Sequence, residues 1–320
     1  MTVDDLVTWG ANGGVWRVQS VAGARCVIVR LDDGATAEAD AADLTLDAGP
    51  IPAEFLPARP PRHDRLQPVF DDGLVALYHA DALDVLEEVV EPGTIACLCT
   101  DPPYGQAFSG SGASAGADLR GDGARGGMRV VRRILGALES RWCPEALAFV
   151  FCHAESYGDF KETIETRLSW RNALIWNKGG GGPGDCSQDF ARNFEMVIHA
   201  NRGQRPLLGS RDGCVLDFKR TPRDRIHPTE KPVPLVRYLL SKGVAAGEVA
   251  PNGRPAIAFD AFGGSASMLV AARQLGIRAV ACEIDGRWIG PAVERLRQTE
   301  FGTHLIKPAD VAPEPTLPGL

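Results

Sequence analysis

From about residue 70 onward the apolar positions follow two alternating rhythms. Short runs such as "LVALYHA", "GTIACLCT", "ALAFVFC", "RNALIWNKG", "FEMVIHANR", "PAIAFD" and "RAVACEID" are dense in β-branched and aromatic residues and read as strands. Between them "DALDVLEEV", "YGDFKETIETRL", "KPVPLVRYLLSKGV", "SASMLVAARQLG" and "RWIGPAVERLRQ" carry apolar residues at helical spacing. The alternation predicts an α/β fold: a doubly wound, mostly parallel sheet, with one strand for each of the seven runs.

The first 48 residues follow a different pattern. "GGVWRVQSV", "RCVIVRL", "ATAEAD" and "ADLTLD" alternate apolar and polar positions between Gly-rich turns. They predict a small SH3-like β domain with a barrel-like closure. Residues 49–69 are proline-rich and aperiodic, so they read as a linker. The α/β domain is expected over 70–305, with a small insertion near 179–226. The proline-bearing end, 306–320, reads as a flexible tail.

Composition narrows the class. With 320 residues, 44% hydrophobic and 23% charged, the chain suits one large domain plus something small. No apolar run approaches the roughly 18 residues that span a bilayer, and the "MTVDDLVTWG" start is acidic where a secretory signal is basic. No membrane partner and a cytoplasmic location are expected. The eight cysteines are scattered without ligand spacing, which predicts buried thiols and no metal. A net charge of −7 excludes a polycation. Residues 202–242 nevertheless hold ten Lys/Arg against four Asp/Glu, where a polyanion could dock. The plain counter-reading is a solvated arginine-rich loop.

Two stretches carry candidate chemistry. In "CTDPPYGQAF" an acid, two prolines and an aromatic follow directly on a buried run. Proline lacks an N–H but keeps its carbonyl, so Asp101-Pro102-Pro103-Tyr104 is either a stiff turn or an acceptor surface for an amino group on a flat ligand. In "AFDAFGGSASMLVAARQLGIRAVACEIDG" a strand ends at Asp260, a glycine pair follows and a helix opens at once. Glu283 ends the next strand, where an acid can accept from ribose hydroxyls. The G-x-G-x-x-G fingerprint is absent, which disfavours NAD and favours an adenosine-type ligand without a pyrophosphate.

Three motifs in this order, D-P-P-Y-G at 101–105, H-P-T-E-K-P at 227–232 and D-A-F-G-G-S-A at 260–266 followed by Glu283, resemble the β-class amino-DNA methyltransferases. In that family the catalytic motif precedes the cofactor motif. The resemblance spans roughly residues 74–300 and implies a class I methyltransferase fold in permuted motif order, using S-adenosylmethionine. It assigns Asp101, Pro102, Pro103 and Tyr104 to catalysis on the exocyclic amine of a flipped base. The turn formed by Asp260, Phe262, Gly263, Gly264 and Ser265 matches the segment beneath the methionine and ribose of the cofactor. Glu283 matches the ribose acid, Asp81 the acceptor for the cofactor's adenine amine, and Lys231 the segment beside its methionine end. One departure stands out. The family has F-x-G-x-G, and this chain carries Ala266 at the last position, which matters if the backbone there has positive φ.

The resemblance further implies site-specific methylation of double-stranded DNA. Adenine N6 is favoured over cytosine N4, because Asp at the first motif position accompanies adenine more often. Arg120 and Arg125 in the Gly-rich stretch 106–128, Lys178 after "LIWN", and Arg220 and Arg223 in the basic stretch are the candidate DNA contacts. A homodimer and a separate cognate nuclease, as in restriction-modification, are further partners the resemblance admits. Two other readings stay open: an RNA or small-molecule amine methyltransferase, and a catalytically weakened DNA-binding relative.

Overall fold

The computed structural model describes residues 66–103, 126–180, 190, 193–220 and 230–299, and the strand backbone of residues 6–9, 14–22, 25–30, 36–40 and 45–46. The chain divides into two compact units, residues 1–64 and 65–320. The first is an antiparallel sheet of β1 (Leu6–Trp9), β2 (Gly14–Ala22), β3 (Arg25–Arg30), β4 (Thr36–Asp40) and β5 (Thr45–Leu46), in spatial order β4-β3-β2-β1-β5. No ladder joins β4 to β5 among the described residues, so the barrel-like closure expected here is not shown. Most of the expected linker and the tail from 306 lie outside the described residues.

The second unit is built on a mixed sheet of nine strands, where seven were expected. They are β6 (Phe70–Asp71), β7 (Val75–His79), β8 (Ile95–Thr100), β9 (Trp142–Cys152), β10 (Ser169–Asn177), β11 (Phe194–Arg202), β12 (Val215–Asp217), β13 (Ile257–Asp260) and β14 (Ala279–Glu283). Their order is β12-β10-β11-β9-β8-β13-β14-β7-β6. The two additions are the edge strands β6 and β12, of two and three residues, too short to show a rhythm. β6 turns into β7 through Asp71, whose Oδ1 accepts from the Gly73 N–H at 2.8 Å. β12 lies parallel to β10. The seven remaining strands match the seven apolar runs, and only β11 among them runs antiparallel to its neighbours.

Among the described residues five helices connect the strands, α1 (Ala82–Glu88), α2 (Gly126–Ala137), α3 (Tyr157–Glu165), α4 (Val233–Gly243) and α5 (Ser267–Leu275), and α6 (Gly286–Gln298) follows the last strand. α2 was not expected, because its Gly-Gly start merges with the Gly-rich run before it. α1 packs on α2 and α2 on α3; α4 packs on α5 and α5 on α6. Crossovers through α1 and α2 advance toward one edge of the sheet, those through α4 and α5 toward the other. The right-handed crossover rule therefore sets the two groups on opposite faces. Between β8 and β13 the chain's direction of travel reverses, and in such sheets ligands bind at that reversal, beyond the carboxyl ends of the strands.

The core explains the sequence around this point. All six residues of β8 are buried, so "IACLCT" has no polar alternate. α5 is buried from Ser267 through Arg273, which suits its run of small and aliphatic residues. Among the described residues no helix is long and apolar enough to cross a membrane, and no group of three or more His, Cys, Asp or Glu could hold a metal ion.

Candidate active site

Four acids gather where four neighbouring parallel strands end. Asp81 follows β7, Glu283 closes β14, Asp260 closes β13 and Asp101 follows β8. The two inner ends are laced together: the Thr100 hydroxyl donates to Asp260 Oδ1 at 2.7 Å, and the Ala261 N–H donates to Thr100 Oγ1 at 3.3 Å. Asp260 is buried. Burial pushes its carboxyl up to about 7 against the lowering effect of hydrogen bonds from Thr100 and the Phe262 N–H, with the charges of Asp101 and Glu283 adding to the rise.

The glycine turn after β13 is held by backbone hydrogen bonds. Gly263 N–H donates to the Cys282 carbonyl at 2.7 Å, seating the turn against β14. A Cβ at Gly263 would lie 3.1 Å from that carbonyl oxygen, so a side chain there would force the two apart. Glu283 accepts from the Gly264 N–H at 2.8 Å with one oxygen and from the Asp285 N–H at 2.7 Å with the other. Its pKa is raised, chiefly by burial, although these N–H groups pull it down. Phe262 packs against the core, and Ser265 is buried with its hydroxyl 3.2 Å from that of Ser267.

Ala266 has φ 61° and ψ 25° and caps α5 from the left-handed region. Among the described residues it is the one non-glycine with positive φ. This is the conformation in which the departure from glycine has a cost, of about 1–2 kcal/mol.

The other half of the site is held by side-chain charge. Lys231 Nζ donates to Asp101 Oδ2 at 2.6 Å and lies 3.2 Å from Glu195 Oε2 and 5.2 Å from the centre of the Phe151 ring. It is 6% exposed. Burial opposes its charge, but the Asp101 and Glu195 carboxylates outweigh it and the pKa of Lys231 is raised. Glu195, on β11, is also paired with Lys178. Burial works against the Glu195 carboxylate, yet its two lysines hold it below the usual carboxylate range. Lys178, with Glu195 as its one carboxylate partner among the described residues, is lowered by burial.

The halves are tied to each other. Ser267 Oγ donates to the Lys231 carbonyl at 2.9 Å, and Arg295 of α6 donates both to the Ser265 carbonyl and to Glu230 Oε1 at 3.0 Å.

The remaining expected residues fall as follows. Asp81 caps α1, its Oδ1 accepting from the Leu83 N–H at 2.8 Å. Pro102 is buried and Pro103 half-buried. Lys178 is drawn inward onto Glu195, 4.9 Å from the centre of the Trp176 ring, whereas Arg220 is exposed. Tyr104, Arg120, Arg125 and Arg223 lie outside the described residues. Glu195 was not anticipated. As the second residue of β11 ("FEMVIHANR") it reads locally as a polar residue near a strand's exposed start.

No protein-family model matches the chain, and no curated protein sequence matches it. Solved structures do. The larger unit superposes on M1.HpyAVI in complex with SAM, with a TM-score of 0.55 at 15% identity over 70% of this chain and 99% of the other. The PvuII DNA methyltransferase (cytosine-N4-specific) gives 0.53 at 12% identity over 72% and 89%. TTHA0409 of Thermus thermophilus gives 0.51 at 15% identity over 70% and 94%. The nine-stranded unit therefore has the fold that these proteins share.

Proposed function

We propose that the chain is an S-adenosylmethionine-dependent DNA methyltransferase acting on the exocyclic amine of a base, with adenine N6 the favoured target. The observation that carries this reading is the placement of Asp101 and the Asp260–Glu283 turn on adjoining strand ends, tied by Thr100. The reading is supported by fold neighbours that are a SAM complex in one case and a cytosine-N4-specific DNA methyltransferase in another. Adenine is favoured on the identity of Asp101 alone.

The residues present fit the cofactor. The Glu283 oxygens accept backbone N–H groups, and a carboxylate's roughly four lone-pair directions leave room for a ribose hydroxyl. The glycine pair lets a ligand approach the backbone closely. Asp81 offers an acceptor for an adenine amine. When bound, the cofactor supplies an electrophilic methyl group on a sulfonium.

The protein's own contribution is to the amine. The lone pair of an exocyclic amine is delocalised into its ring, so the group is a poor nucleophile. Acceptance of its two protons by the Asp101 carboxylate and the Pro102 carbonyl draws the nitrogen toward tetrahedral geometry and localises that pair. The same acceptors face the positive charge that grows on nitrogen until a proton leaves. A base reaches such a site only by leaving the duplex, and Tyr104 is the proposed ring on which it stacks.

Sequencing methylated bases in DNA from cells expressing the protein tests this directly. N6-methyladenine at a fixed sequence context is expected; N4-methylcytosine would correct the base, and no methylated base would overturn the reading. Ala266 favours a second reading, a DNA-binding relative with weakened chemistry. Calorimetry that finds duplex binding without S-adenosylmethionine binding would select it.

A further inference from the structure

We infer that Glu195 is a positioning residue, which with Lys231 and Lys178 forms a buried chain of alternating charge that orients the Asp101 carboxylate. The inference rests on the proposed role of Asp101 and extends it to residues from β10, β11 and the approach to α4.

The geometry runs from strand to strand. Asp101 leaves β8, Lys231 precedes α4, Glu195 is on β11, and Lys178 follows β10. Lys231 is 2.6 Å from Asp101 and 3.2 Å from Glu195, and Glu195 in turn holds Lys178. The signs alternate and sum to zero. Such an arrangement is a poor way to gain stability, because apolar side chains of similar volume usually do as well or better than buried ion pairs. Removing a single member is costly, because its partner is left charged and desolvated.

What the chain does provide is direction. Lys231 engages Asp101 through Oδ2, which fixes the plane of the carboxyl at the head of the catalytic motif. Glu195 has two effects on this contact. It supplies the second anion that keeps the ammonium charged at 6% exposure. It also divides the attraction of Lys231, so that Asp101 keeps acceptor strength for an amine.

Further described residues face Lys231 or act on its partners. Phe151 presents a ring, and the Cys152 thiol on the same strand is pushed up to about 12, first by burial and then by Glu195 and Asp101. Arg220 acts on Lys178 at the outer end, where it lowers that lysine's pKa further. Beside Lys231 in the chain, Glu230 is engaged by Arg295.

The chain contains only six lysines, so a 13Cε-lysine label yields few resonances, and Lys231 is assigned by its loss in Lys231→Met. In the wild type Lys231 is expected to titrate above the ordinary lysine range. In Glu195→Gln, burial loses part of its opposition and the midpoint is expected to fall. Glu195→Asp, which keeps the charge, restores it. Lys178→Gln removes only the outer cation and leaves the Lys231 midpoint at or above the wild-type value.

In single-turnover transfer to duplex DNA, Glu195→Gln is expected to slow the step about 10- to 100-fold, with its alkaline limb moved to lower pH. Calorimetric affinity for S-adenosylmethionine stays within about threefold. An unmoved Lys231 midpoint in Glu195→Gln overturns the inference. So does a fallen midpoint in Lys178→Gln, or a loss confined to cofactor affinity. If the wild type transfers no methyl to DNA, the functional reading fails by itself, and the lysine titration still decides whether the charge chain exists.

Discussion

The two halves of the site are built by opposite means. Around Asp260–Ala266 and Glu283 the contacts are mostly backbone N–H groups meeting a carbonyl or carboxylate, drawn from one strand-helix-strand unit. Around Asp101 they are charged side chains brought from four separate places in the chain. A backbone-built half has little dependence on any one side chain beyond its acceptor. A charge-built half fails when one link is removed, and it responds to pH.

The sharpest test of that contrast is Asp101→Ala. Methyl transfer is expected to fall about 1,000-fold or more, while calorimetric affinity for S-adenosylmethionine changes little. Equal losses in both would mean that the halves do not divide the work. On the opposite side, Glu283→Ala leaves the Gly264 and Asp285 N–H groups without their acceptor. Cofactor affinity is expected to weaken about 10- to 100-fold by calorimetry.

Asp260 probes the seam by pH. Its carboxyl titrates at about 7 in the folded protein against an ordinary value of 3.8, so the folded state holds a proton that the unfolded chain gives up. This contribution to stability is full below about pH 4, declines as pH rises toward about 7, and stays low above it, at no more than about 1.4 kcal/mol per pH unit. Asp260→Asn is expected to remove that decline, as read by denaturant melts of the two proteins across the interval. The smallest effect belongs to Ala266→Gly, which relieves the left-handed backbone. A gain of about 1 kcal/mol is expected, seen as a rise of about 2–4 °C in thermal midpoint.

The same division explains which features were legible in the chain. The glycine turn and Glu283 are close in sequence and linked by one helix, so their spacing could be read as a unit. The seven main strands were legible because burial on one or both faces leaves a rhythm, which the two- and three-residue edge strands β6 and β12 cannot. The partner of Lys231 was not legible. Nothing local distinguishes Glu195 from a polar residue at a strand's exposed start, and only the pairing of β11 beside β9 and β10 brings it to Lys231 and Lys178. Lys178, a candidate DNA contact in the sequence, is paired with Glu195 in the structure. The left-handed backbone at Ala266 was posed by the motif as a question that only coordinates could answer.

Arg295 sets a schedule on all of this. The guanidinium that fastens Ser265 and Glu230 comes from the helix after the last strand of the sheet. As the polypeptide leaves the ribosome, every strand has emerged before that fastening exists. Competence in the nascent protein thus waits for α6 to be read, and a chain released early at β14 would carry every acid of the site without the clasp that joins its two loops.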